Sequence, residues 1–268
     1  MLGPIAQTLA LTCVGNAALK CCDVGGFWPD ATVFRFSKSC DFRCVEGKSV
    51  ELLAADPLAW FAMLGEQKCK GLRLHHAPRP RGPKQTLPVS DRMLVGFVGG
   101  GPAWLIEQVG AGASTLWQGF DRVGDAHDGE RKIWRHSYLR QGKTAPQDLS
   151  AAPLSTITSA MAPILAEIEA LADKLDAANF AGCFADARAL LDGAPSPSPD
   201  FARYAPLSEA QTRLLAAIET AWVFGAMGSW NDISPPQEFA GDYDRLSDAL
   251  FSVLNEAVCA VANASFAA

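Results

Sequence analysis

Three stretches of this chain bring ionisable side chains close enough together to do chemistry. Between Gln67 and Ser90, Lys68, Lys70, Arg73, Arg79, Arg81 and Lys84 accompany His75 and His76, with no acidic residue among them. Such a run can neutralise phosphate, so these six cations are the anion-binding candidates. A solvated basic loop has the same composition. The 78–83 segment is Pro-rich, and no aromatic residue is at hand there to stack on bases, so nucleic acid is not an expected partner. The second stretch, Asp121 to Glu130, holds Asp121, Asp125, His127, Asp128 and Glu130. Clustered carboxylates suit hard cations and a histidine adds a transition-metal option, which makes Asp125, His127 and Asp128 the metal candidates. The glycine and closing glutamate of a calcium loop are nevertheless misplaced, and a hairpin tip is polar for solvation alone. No metal or other cofactor is expected.

The third stretch is Gly225 to Asp232. Ser229 there can be combined on paper with His136 and Asp232 into a Ser/His/Asp set, but it does not sit in a Gly-x-Ser-x-Gly elbow. The simpler reading is a structural turn, with Trp230 in a core and Asn231 or Asp232 capping backbone groups. Cys21-Cys22 and Cys40-x-x-x-Cys44 with His75-His76 lack the Cys-x-x-Cys pair usual in structural zinc sites. Gly99-Gly-Gly101 follows a strand-like run as a phosphate loop does, yet no helix and no Lys-Ser/Thr follow it. Trp134, His136 and Tyr138 share one strand face. That face reads as core, with an aromatic binding surface as the alternative. No catalytic residue is assigned.

These residues must be positioned by elements of two kinds. The first half reads as β-structure. Thr32–Ser37 alternates, Asp41–Val45 continues or pairs with it, and Trp60–Leu64 and Leu72–His75 are strand-like. Asp56-Pro57 marks a break. Arg92–Val98 and Ala103–Val109 flank the glycines as a hairpin, and Ser114–Val123 and Arg131–Arg140 flank the 124–130 turn as another. Together they predict a four-stranded antiparallel meander over 92–140. The period then becomes helical. Ile157, Met161, Ile164, Leu165, Ile168, Leu171 and Leu175 line one helix face, with Pro163 expected in the first turn. A short helix to Leu191 follows, then the breaking run 192–200. Ser208-Glu-Ala-Gln211 fits a capping box opening a second long helix. A third runs from about Tyr243 to Ala262.

The segment Gly225–Asp232, followed by the Tyr243-x-x-Leu246-x-x-x-Leu250 helix, resembles the tails of uncharacterised bacterial proteins over Ala221 to Asn263. That resemblance implies no activity and transfers no functional residue.

With 268 residues and 49% hydrophobic side chains, the chain can build a real core, and its 17 prolines exclude a coiled coil. The net charge of −6 conceals a split. Residues 1–150 hold 18 basic and 14 acidic side chains, and residues 151–268 hold 5 and 15. Met1–Lys20 has no basic start and is interrupted by Gln7, Thr8, Thr12 and Asn16. It therefore reads as a core strand or helix rather than a signal peptide or membrane span. A core of this size needs no disulfide staples, so the expectation is a cytoplasmic protein with free thiols.

The expected fold is α+β: an antiparallel sheet from 1–141, a 142–153 connector, and about three longer helices from 154–268 covering one sheet face, merged into one domain. The leading expectation for function is a non-catalytic protein-binding module, an immunity-type inhibitor or adaptor. Its acidic helical half, with Asp173, Asp176, Glu209 and Glu219, would meet a basic protein partner. The rivals are a metal-dependent hydrolase using the 121–130 loop with His136, and a phosphate or nucleic-acid binder using Lys68–Lys84.

Overall fold

The computed structural model describes residues 1, 3–47, 49–77, 89–111, 113–144 and 152–267. Among these are six strands and eight α-helices: α1 (Gly3–Leu19), α2 (Phe27–Asp30), β1 (Ser37–Glu46), β2 (Ser49–Ala54), α3 (Pro57–Glu66), β3 (Gly71–Ala77), α4 (Asp91–Leu94), β4 (Ala103–Val109), β5 (Ser114–Val123), β6 (Trp134–Thr144), α5 (Leu154–Lys174), α6 (Ala178–Leu191), α7 (Glu209–Ala221) and α8 (Gln237–Ala267). The class is α+β, as the sequence implies, but the sheet is mixed. Its order is β2-β1-β6-β5-β4-β3, and β1 runs parallel to β6 while every other pair is antiparallel. The β1–β2 hairpin and the β3–β6 meander meet at that parallel seam, and α3 carries the chain between the two edges.

Several local expectations give way to tertiary contacts. Arg92–Val98 is not a strand; α4 and a loop occupy it, and β3 takes its place beside β4. The cause is Arg92, whose buried guanidinium is drawn to the helical half. Its Nε donates to Asp248 (2.8 Å), one terminal nitrogen to Asn231 Oδ1 (3.0 Å) and the other to Asp244 (3.3 Å). Trp60–Leu64 is helix, not strand: Asp56 caps it through the Ala59 N–H (2.8 Å) and Pro57 takes the first turn, where a missing N–H costs nothing. Thr32–Phe34 forms a 3-10 turn ahead of β1. The helix containing Pro163 starts nine residues earlier, at Leu154, so the proline lies inside α5. The packed stripe Ile157, Met161, Leu165, Ile168 and Leu171 holds that helix together despite the lost backbone bond. Gly142 belongs to β6 rather than to a connector. The capping box of Ser208 and Gln211 forms as expected.

The sheet is covered differently from the expectation too. Its inner face is filled by α1, which packs on β3, β4 and β5, and α8 packs on α1 and β3. Helices α5, α6 and α7 pack on one another, and α5 and α7 pack on α8. One buried cluster runs from Leu9 and Phe42 through Leu254 to Leu165. Phe42 stacks on Trp60 (centroids 4.2 Å apart) and on Tyr138 (5.2 Å) at its sheet end. By length and composition alone α5 and α8 could cross a bilayer. Most of the apolar surface of α8 lies in the core instead. All eight cysteines are free.

The polar residues that interrupt Met1–Lys20 anchor α1. Asn16 donates to the Leu72 carbonyl (2.9 Å) and accepts from the Leu72 N–H (2.6 Å). Asn263 of α8 makes the same pair of bonds with Leu74, at 3.0 and 2.6 Å. Both amides thereby act as a substitute strand along the outer edge of β3, satisfying groups that an open edge leaves bare. Asn16→Ala should destabilise the protein by about 2–4 kcal/mol, because it orphans a buried N–H and a buried C=O. Asn263→Ala should cost about 1–2 kcal/mol, since water reaches that half-buried site. Urea denaturation measures both, and losses below about 0.5 kcal/mol for each would contradict the edge-closing role.

Candidate functional site

Strand parity and one irregularity build the site. Along β1, Cys40, Phe42 and Cys44 are buried, with Phe42 against Trp60 of α3. Strict alternation would then point Lys38 inward and Ser37 outward. The pairing of β1 with β6 slips between Ser37 and Ser39, so one extra residue stands opposite Trp134 and Arg135. This bulge sends Lys38 out to Asp128 (Nζ to Oδ2 2.9 Å) and turns Ser37 inward. On the other side of β6, antiparallel pairing sets Asp121 directly opposite His136 and Gly119 opposite Tyr138. A Cβ on Gly119 would lie 3.1 Å from the Tyr138 ring, so glycine leaves the ring its seat.

These register choices bring together Ser37, His136 and Asp121. The Ser37 Oγ lies 2.9 Å from His136 Nε2, and His136 Nδ1 lies 2.6 Å from Asp121 Oδ1. The carboxylate fixes the tautomer. Nδ1 carries the proton and donates it to Asp121, which leaves Nε2 free to accept from the Ser37 hydroxyl. Ser37 and His136 are buried, and the Asp121 side chain keeps 22% of its surface exposed. Two residues along β6, the Tyr138 hydroxyl donates to Gln7 Oε1 (3.2 Å) and shares a hydrogen bond with the Thr8 hydroxyl (3.1 Å). Burial pushes its phenol well above the ordinary tyrosine range, so it stays protonated.

All these side chains line one cavity of about 500 Å³, within the size range of small-molecule sites. The first turns of α1 form one wall and Trp104 and Trp134 another. The loop from Val95 to Gly100 closes a third. That loop is held from behind by Arg92 and by Gly96, where a Cβ would sit 2.7 Å from the Gly225 carbonyl oxygen. Gly99–Gly101 is thus cavity rim rather than hairpin turn. Trp134, His136 and Tyr138 do share a face, and it is both core and cavity wall.

The other candidates do not assemble. Asp125 and Asp128 cap their own loop: Asp125 Oδ1 accepts from the His127 N–H (2.9 Å), and Asp128 Oδ1 accepts from Glu130 (3.0 Å) and Lys132 (3.1 Å). Among the described residues no group of three or more His, Cys, Asp or Glu could hold a metal ion. Cys40 is buried in the sheet while Cys21 and Cys22 are exposed. Ser229 and Asp232 cap a 3-10 turn, the Ser229 N–H donating to Asp232 at 2.8 Å, around a buried Trp230 whose Nε1 donates to Ser247 (2.7 Å). Lys68 and Lys70 are exposed, and Arg73 lies 4.7 Å over the Phe266 ring. Arg79, Arg81 and Lys84 lie outside the described residues. Asp173, Asp176, Glu209 and Glu219 are exposed. Glu209 pairs with Arg213 in α7, and Glu219 sits about 15 Å further along that helix, so the four form no single cluster.

The structure places His136 against Ser37 and Asp121, away from the Ser229–Asp232 cap. Asp121 facing His136 follows from the hairpin register once its turn is recognised. Ser37 carries no local signature.

No protein-family model, curated protein or solved structure matches the chain. Fold and site define a class only: an α+β protein whose sheet and central helix enclose a ligand-sized cavity containing a Ser–His–Asp set. Because the Tyr138 phenol is raised on folding, its contribution to stability is intact below the ordinary tyrosine value of about 10 and is lost as pH rises beyond it. Tyr138→Phe should flatten the alkaline fall in thermal stability. An unchanged alkaline limb would place the phenol in contact with solvent.

Proposed function

We propose that the protein is a hydrolase that cleaves an ester by acyl transfer through Ser37. The observation that carries this reading is the hydrogen-bond order Ser37–His136–Asp121 inside a cavity of about 500 Å³, with each bond at 2.9 Å or shorter. A nucleophile bonded to a base, and the base bonded to an orienting carboxylate, is the geometry that acyl transfer needs. Ser37 Oγ attacks the acyl carbon as its proton passes to His136 Nε2. Asp121 stabilises the imidazolium that forms. His136 then protonates the leaving alkoxide, and the acyl group remains on Ser37. Water, deprotonated by His136, attacks that ester; the acid leaves and Ser37 recovers its proton. The Tyr138 hydroxyl lines the same cavity with its proton committed to Gln7 Oε1.

The reading of a non-catalytic module with a basic partner rests on the acidic half, whose four named carboxylates are spread over separate helix ends. The metal-dependent hydrolase keeps its histidine and Asp121, but Asp125 and Asp128 cap backbone N–H groups of their own loop. The cavity supports more chemistry than either feature.

A panel of nitrophenyl esters and a fluorophosphonate probe provide the test. Turnover and covalent labelling of Ser37 are expected. Ser37→Ala, His136→Gln and Asp121→Asn should each reduce turnover by about 10³-fold or more, and Ser229→Ala should not. Melting curves verify folding of each variant. Full activity in Ser37→Ala, or no turnover and no labelling of the native protein, would overturn the reading.

A further inference from the structure

Resting on that reading, we infer that the substrate is an uncharged ester with an extended apolar acyl group, held between the aromatic mouth of the cavity and the loop Val95–Gly100. The first observation is the mouth. Phe36, Phe97 and Val98 line the cavity, yet they are 46%, 70% and 63% exposed. Large apolar side chains gathered at one opening mark a place where a ligand removes them from water. Trp104 and Trp134 line the same cavity as Ser37.

The second observation is charge. Among the described residues lining the cavity there is no lysine or arginine, and the one carboxylate is Asp121. An acyl group ending in carboxylate or phosphate would meet that carboxylate with no cation to pair with, in a wall too apolar to solvate it. The nearby cations are engaged, Lys38 with Asp128 and Arg35 over the Phe36 ring at 5.3 Å. The third observation is that the mouth is pre-formed. Arg92 and the Gly96–Gly225 contact hold the loop from behind, so Phe97 and Val98 are displayed rather than buried, and binding does not have to order them.

Chain length is the measurable consequence. Each methylene transferred from water to an apolar wall favours binding by roughly threefold to fourfold. With nitrophenyl esters from acetyl upward, kcat/KM should rise by about that factor per carbon until the cavity is filled. Half-esters of dicarboxylic acids with the same number of carbons should be at least tenfold poorer. Phe97→Ala should lower the slope with chain length. Tryptophan quenching by methyl esters of increasing chain length, measured with Ser37→Ala, reads binding without turnover.

The outcomes separate the two claims. Ser37-dependent turnover with a flat chain-length profile, or with a preference for the anionic half-esters, overturns the substrate class and leaves the hydrolase reading standing. A chain-length slope in quenching with no turnover by the native protein supports the apolar ligand class and overturns the hydrolase reading. A slope in both supports both.

Discussion

The structure depends on one constraint: α1 has no solvent face. Every residue from Leu9 to Ala17 is buried, as are Ile5, Gln7 and Thr8. A helix buried all round needs cover on every side and a partner for every polar side chain it carries. The sheet, α3 and α8 supply the cover. The polar partners are equally specific. Thr12 bonds back to the Thr8 carbonyl, Thr8 and Gln7 meet the Tyr138 hydroxyl, and Asn16 closes the edge of β3. The same helix that fills the sheet therefore ends at the cavity with its polar groups already aimed.

The second half is tied to this arrangement at two ends. Asn263 docks α8 on β3 beside Asn16, and Arg92 reaches from the cavity loop to Asp244 and Asp248 near the start of α8. The charge imbalance between the halves thus has a local use. A buried guanidinium needs compensation, and the acidic helix provides it at its solvent-facing rim. The remaining acidic excess is spread over exposed helix surface, where single pairs contribute little.

The elements that could be read from sequence are those whose periodicity is spent locally. The stripe of α5, the capping box at Ser208 and the β5–β6 hairpin all follow from spacing and turn chemistry. The misread elements answer to distant residues. Arg92–Val98 has strand composition, but the arginine is taken by side chains more than a hundred positions away. Trp60–Leu64 has strand-forming side chains under an Asp-Pro start that specifies a helix, and the cap prevails. The parallel seam of β1 and β6 joins segments about a hundred residues apart, and no local signal announces it. Asp121 and His136 were legible as a pair because one hairpin sets them opposite each other. Ser37 was not, because its inward direction comes from a bulge that exists only once β1 lies beside β6.

That bulge is informative about the site. Further along β1, Cys40, Phe42 and Cys44 are buried, and a second irregularity, in the pairing with β2, falls between Phe42 and Arg43. The first falls beside Ser37, which faces His136. On β5 the position opposite Tyr138 is glycine, although strand interiors favour side chains that pack. Both departures weaken the sheet locally, and both serve the same few ångströms of cavity wall. The Ser37 bulge and the Gly119 position both fall on the wall of the same cavity. Mounting the set on three adjacent strands also fixes its distances through backbone pairing, which holds a reacting geometry more tightly than a loop does.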